Sequence, residues 1–257
     1  MARGGKKRLV IANWKMYIET PQEAKAFARA LRRSARAFPG VDVVLAPAFP
    51  LIPSVADSLK RATIMVGAQT ISKNEKGAHT GEVSAAMLKA FGVSFAIIGH
   101  SERRAAGETN EQINSQLLRA QDAGIRAVLC VGERERSASG DYFEVLKEQL
   151  VSALSGSPKT MAAKLVIAYE PVWAIGKTAA DAMKPSELRE TVIFIRKTVA
   201  DILGREALSR VAILYGGSVE GANAEALIAQ GDVSGFLVGH ASAQFDSFME
   251  ILKACRK

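Results

Sequence analysis

Eight short apolar runs punctuate the chain, at 9–13, 41–47, 63–69, 95–100, 127–133, 164–170, 211–217 and 235–240. They are rich in Val, Ile and Leu and near-continuous rather than alternating, the pattern of parallel strands covered on both faces. Successive runs begin 22 to 47 residues apart, which leaves room for one crossover helix each time. The pattern therefore predicts eight βα units.

Helix signals fill the gaps. Thr20-Pro21-Gln22-Glu23 supplies an N-cap, a proline at the first helical position and a glutamate placed for a capping box. Ala24, Phe27, Ala28, Leu31 and Ala35 then mark one apolar face. Thr109-Asn110-Glu111-Gln112 repeats the capping pattern before a helix that Gly124 should end, and Pro185-Ser186-Glu187 opens another running to Gly204. No linker or composition break divides the chain, so a single domain over 1–257 is expected, with 1–8 as a basic N-terminal tail. An open doubly wound sheet would normally show a glycine-rich nucleotide loop after its first strand. Here that strand ends in Asn13-Trp14-Lys15, which favours an α/β fold closed as a (β/α)8 barrel.

Charge adds little to this picture once it is located. The formal net charge is +8, but Arg3, Lys6, Lys7 and Arg8 at one end and Lys253, Arg256 and Lys257 at the other account for all but one unit. Two solvated tails explain that better than a nucleic-acid surface, so no nucleic acid is expected as a partner. The apolar stretch after the first basic cluster is far shorter than the core of a signal peptide, and no run approaches a membrane span. Only Cys130 and Cys255 occur, without a CxxC pair, which fits a reducing cytoplasm and gives no zinc or other metal site.

Closing the eight runs into a barrel gathers the residues past their C-terminal ends around one mouth: Asn13 and Lys15, Gln69, His100, Glu133, Glu170, Ser218 and Gly239. Singly, each has a plain structural reading: a solvated lysine, half of an ion pair, a core histidine. Jointly they bring a cation, an imidazole, carboxylates and glycine-rich backbone to one place and fit a specific chemistry.

Four segments carry a more specific signal. Asn13-Trp14-Lys15-Met16, Gly99-His100-Ser101-Glu102-Arg103-Arg104, Tyr169-Glu170-Pro171-Val172-Trp173-Ala174-Ile175-Gly176 and Tyr215-Gly216-Gly217-Ser218 resemble, in order, the signatures of the triosephosphate isomerase family. The similarity extends from Val10 to about Ala243. The resemblance implies interconversion of dihydroxyacetone phosphate and glyceraldehyde 3-phosphate without a cofactor. It implies Lys15, His100 and Glu170 as catalytic residues, with Asn13 and Glu102 in support. Phosphate would be held by Gly176, Ser218, Gly239 and His240. The loop around Thr80 would enter a second subunit, making a homodimer, and 171–184 would form a lid latched by Tyr215 and Ser218. Cys130 reads as structural.

The chain departs from the family at Tyr17, where asparagine is usual, in the shortened stretch after Arg103, at Gly239-His240 in place of Gly-Gly, and in the lid tip, Gly176-Lys177-Thr178-Ala179-Ala180-Asp181. Two rivals stay open on sequence grounds: an isomerase of a four-carbon ketose phosphate such as erythrulose phosphate, and a non-catalytic barrel that binds a sugar phosphate.

Overall fold

The computed structural model describes residues 7–137, 139–176 and 183–256. Eight strands close a parallel barrel in sequence order: β1 (Arg8–Asn13), β2 (Val41–Ala46), β3 (Met65–Ala68), β4 (Phe95–Ile98), β5 (Arg126–Val131), β6 (Leu165–Tyr169), β7 (Ala212–Tyr215) and β8 (Gly235–Val238). Closure is made by β1 against β8, in register from Leu9 beside Gly235 to Ala12 beside Val238. Around it pack α1 (Pro21–Arg33), α2 (Ile52–Ser58), α3 (Ala85–Ala90), α4 (Ser101–Ala105), α5 (Asn110–Asp122), α6 (Tyr142–Ala153), α7 (Pro185–Leu203), α8 (Ala207–Arg210), α9 (Gly221–Gln230) and α10 (Phe245–Ala254).

The expected caps are formed. Thr20 and Glu23 make the reciprocal capping box of α1, Thr109 and Gln112 that of α5, and Gly204 closes α7 at φ 91°. A cap of this kind stabilises a helix by about 1 kcal/mol. The strands stop earlier than the apolar runs: β4 ends at Ile98 and β3 at Ala68, because Gly99 turns away at φ 69° and the Gln69 side chain bonds across to neighbouring carbonyls.

The basic ends need a correction. Arg8 is not tail but the first residue of β1, its Nη1 donating to the Val233 carbonyl at 2.9 Å, and Lys7 pairs with Asp42 at 2.9 Å. Lys253 lies in the last turn of α10, where a cation faces the negative end of the helix dipole, and Arg256 Nε donates to the Lys253 carbonyl.

Period-two alternation positions the site. Ile11, Cys130, Ala168, Leu214 and Leu237 point into the barrel as part of its inner apolar cluster. Two residues further on, the same faces present Asn13, Gly132, Glu170, Gly216 and Gly239 at the C-terminal mouth. The barrel interior thus ends in polar groups and glycines.

Candidate active site

A cleft of about 630 Å³ opens at that mouth, lined by Asn13, Lys15, Tyr17, His100, Glu170 and Gly176, and by the loops after β7 and β8 from Gly216 to Glu220 and from Gly239 to Ala241. Its size suits a small organic ligand. A larger hollow of about 900 Å³ lies on the far side of Glu170, over Cys130, Gly132 and Tyr142. It is lined by Arg104 and Arg134 but lacks Lys15 and the glycines that follow β7 and β8.

Glu170 follows β6 directly and is 2% exposed. Its backbone N–H still bonds the Val131 carbonyl at 2.8 Å, which extends the ladder one residue past the strand. Space for it depends on the glycine that directly follows each neighbouring strand. A Cβ on Gly132 would lie 1.8 Å from the Glu170 carbonyl oxygen, and one on Gly216 would lie 2.8 Å from its Cγ. Glu170 Oε2 accepts from the Ser101 N–H at 3.0 Å, and Oε1 is 3.2 Å from His100 Nε2.

His100 caps α4, its Nδ1 accepting from the Glu102 N–H at 3.2 Å. A ring nitrogen that accepts has no proton, so the neutral ring carries its N–H on Nε2, toward Glu170 and the cleft. The imidazole is therefore a donor of the kind expected from its place before a helix.

Lys15 has φ 47°, a left-handed conformation that is costly for a side-chain-bearing residue. Its surroundings hold it there. The Lys15 N–H donates to Asn13 Oδ1 at 3.2 Å, and the Lys15 carbonyl accepts from Gln69 Nε2 at 2.9 Å. Lys15 Nζ meets Glu102 Oε1 at 2.5 Å, so Glu102 ties ammonium and imidazole together.

Glu133 does not line this cleft. It is 1% exposed and accepts from the Tyr169 hydroxyl and from Trp173 Nε1, both at 2.8 Å, anchoring the chain as it leaves Glu170. Sequence reading missed Arg136, which reaches the Tyr169 and Tyr142 hydroxyls behind the same segment; its only signal was a spacing of three from Glu133. Burial, with the Glu170 charge adding to it, pushes the Cys130 thiol well up, as a structural cysteine requires.

Of the lid, Lys177 to Ala182 lies outside the described residues. At its flanks Ser218 Oγ donates to the Ala174 carbonyl at 2.9 Å, and the Tyr215 hydroxyl lies at the Met183 backbone, with burial pushing the phenol up to about 12. Gly176, at φ 74°, faces the cleft. Thr80 is exposed at the tip of a loop pinned at its base by Glu82, which accepts from Ser72 and Asn74. No three His, Cys, Asp or Glu side chains among the described residues are grouped to hold a metal ion.

A buried carboxylate, an imidazole presenting its N–H and a lysine ammonium at the C-terminal mouth of a (β/α)8 barrel define a barrel enzyme equipped for proton transfer. The family model for triosephosphate isomerase matches residues 8–255. A triosephosphate isomerase of Carboxydothermus hydrogenoformans is 44% identical over 96% of this chain and 98% of its own length. Those of Geotalea uraniireducens and Citrifermentans bemidjiense are 41% and 39% identical with the same coverage. The chain belongs to the triosephosphate isomerase family and is an isomerase.

Proposed function

We propose that Glu170, His100 and Lys15 carry out the interconversion of dihydroxyacetone phosphate and glyceraldehyde 3-phosphate. Glu170 removes a proton from C1 of the ketose, His100 Nε2–H donates to the oxygen on C2 as charge develops there, and the enediolate forms beside the Lys15 ammonium. The same carboxyl group, now protonated, returns the proton to C2, while His100 gives its Nε2 proton to the oxygen on C2 and takes up the hydroxyl proton from the oxygen on C1, which becomes the aldehyde. Asn13 and Glu102 support the cation, one through the Lys15 backbone and the other at Nζ. No metal enters this scheme, because base, donor and cation are all side chains.

The observation that supports it most is the 3.2 Å separation of Glu170 Oε1 and His100 Nε2. A base and a donor this close can serve adjacent atoms of one substrate. It also means that Glu170 must leave the Ser101 N–H and swing into the cleft to admit a carbon between them.

The phosphate would be held by backbone N–H groups at Gly176, Ser218, Gly239 and His240, all of which line the cleft. Closure of 171–184 over it would exclude water from the enediolate. A homodimer is part of the same reading: Met16 is 85% and Met87 57% exposed, apolar surface near Lys15 and on α3 that the loop around Thr80 of a second copy would cover. Two free, buried cysteines fit a cytoplasmic enzyme.

A coupled assay of the purified protein with glyceraldehyde 3-phosphate and with erythrulose phosphates, in chelator, tests the reading. Turnover of the triose phosphate is expected. Turnover of neither substrate would restore the binding-barrel alternative, and a preference for the four-carbon substrate would restore the other.

A further inference from the structure

Two ring side chains stand at the rim of the cleft and take no part in the proton transfer. Tyr17 is 52% exposed and is directed by a turn in which its N–H bonds the Trp14 carbonyl at 3.0 Å. His240 follows Gly239 at the end of β8 and opens a short 3-10 turn, His240–Ala243. The two rings meet edge to face, with centroids 4.9 Å apart and planes at 74°. Both line the cleft, on the side where Gly217, Ser218 and Gly239 present backbone.

The loops that carry them are fastened underneath. Ser242 Oγ donates at 2.7 Å to the Gly239 carbonyl and lies 3.4 Å from the Asn13 carbonyl, and the Lys15 side chain runs along Gly239, with Nζ 3.7 Å from where a Cβ would be. An imidazole and an ammonium therefore flank one stretch of backbone. The other charged or titratable groups lining this cleft are His100, Glu170 and Glu220.

We propose that His240 is a substrate-binding residue whose ring N–H contacts the anionic end of the ligand, and that Tyr17 is its positioning residue. The proposal rests on the reading of this cleft as a triose phosphate site. An imidazole offers at least one N–H in either protonation state, so the contact does not depend on charge. An exposed histidine free to rotate would lose that freedom on binding. The edge-to-face contact restricts the ring beforehand, which is the preference of aromatic pairs at this distance.

The test uses the full-length enzyme, with KM for glyceraldehyde 3-phosphate and calorimetric Kd for inorganic phosphate as readouts. His240→Gly should raise both by about three- to tenfold, with a smaller fall in kcat. His240→Asn, which keeps an N–H, should stay within about twofold of wild type. Tyr17→Asn should weaken both constants in the same direction, and Tyr17→Phe, which keeps the ring edge, should restore them. In the His240→Gly background Tyr17→Asn should add nothing, because neighbours acting through one another are non-additive. Unchanged phosphate affinity in His240→Gly would overturn the proposal. So would a Tyr17→Asn effect that persists in full without His240, since Tyr17 would then act by another route such as a subunit contact. Failure of the wild type to turn over the triose phosphate would refute the underlying reading instead, and the phosphate titration would still judge the rim.

Discussion

On the wall of the cleft built by the ends of β1, β4 and β6, each working side chain is held by bonds to its neighbours, side chain or backbone. Glu102 bridges Lys15 and His100, Asn13 and Gln69 fix the left-handed Lys15 backbone, and Ser101 holds Glu170. On the opposite wall, after β7 and β8, Gly216-Gly217-Ser218 and Gly239 present backbone, and Tyr17 and His240 are the ring side chains at its rim. The difference is chemical. A base and a donor must be aimed within fractions of an ångström, which takes interlocking partners. A phosphate accepts from any N–H directed at it, so backbone suffices and the adjoining side chains are free to differ. The first wall should accordingly govern kcat and the second KM.

The strongest challenge to that division is Lys15→Met, which removes charge from the first wall but lies along Gly239 of the second. A loss of ~10³-fold in kcat/KM is expected, shared between both constants, and steady-state kinetics would show it. Gly216→Ala sharpens the comparison from the other side. The residue belongs to the second wall, yet its new Cβ would press on Glu170 Cγ at 2.8 Å. The expected outcome is a ~10-fold or larger fall in kcat with KM little changed. A rise in KM alone would mean that the glycine serves the phosphate and not the base.

Ser218→Ala removes only the hydroxyl bond to Ala174 and leaves the backbone N–H. Its effect on KM should stay within about fivefold. A far larger change would show that the side chain, not the backbone, holds the anion. The smallest effect belongs to Cys130 and Cys255, both buried with thiols pushed up by burial, Cys255 to about 12. Because a raised pKa keeps them protonated, iodoacetamide at pH 8 should label neither in the native enzyme and both after unfolding, as mass spectrometry would record.

The architecture was legible because barrel strands announce themselves by local composition: six of the eight runs contain their strand, and β1 and β5 begin one residue before theirs, at Arg8 and Arg126. Their ends were not, since Gln69 and Gly99 continue an apolar run while leaving the ladder. Lys15, His100 and Glu170 were legible from their place past strand ends. Glu133 was assigned to the mouth on the same rule, but the Tyr169 and Trp173 donors draw it into the interior. The Tyr17 and His240 contact could not be read at all, because it exists only once β8 closes against β1. Contacts made by closure join the two ends of the chain and leave no local pattern.

Isomerisation of glyceraldehyde 3-phosphate in deuterium oxide, followed by proton NMR for the wild type and Glu170→Asp, tests the central claim most directly. If Glu170 carries the proton, it exchanges with solvent while the enediolate lasts, and dihydroxyacetone phosphate should appear with deuterium at C1. Shortening the base by one methylene should slow the reaction by ~100-fold or more while KM changes little. A Glu170→Asp enzyme working near the wild-type rate would contradict the account.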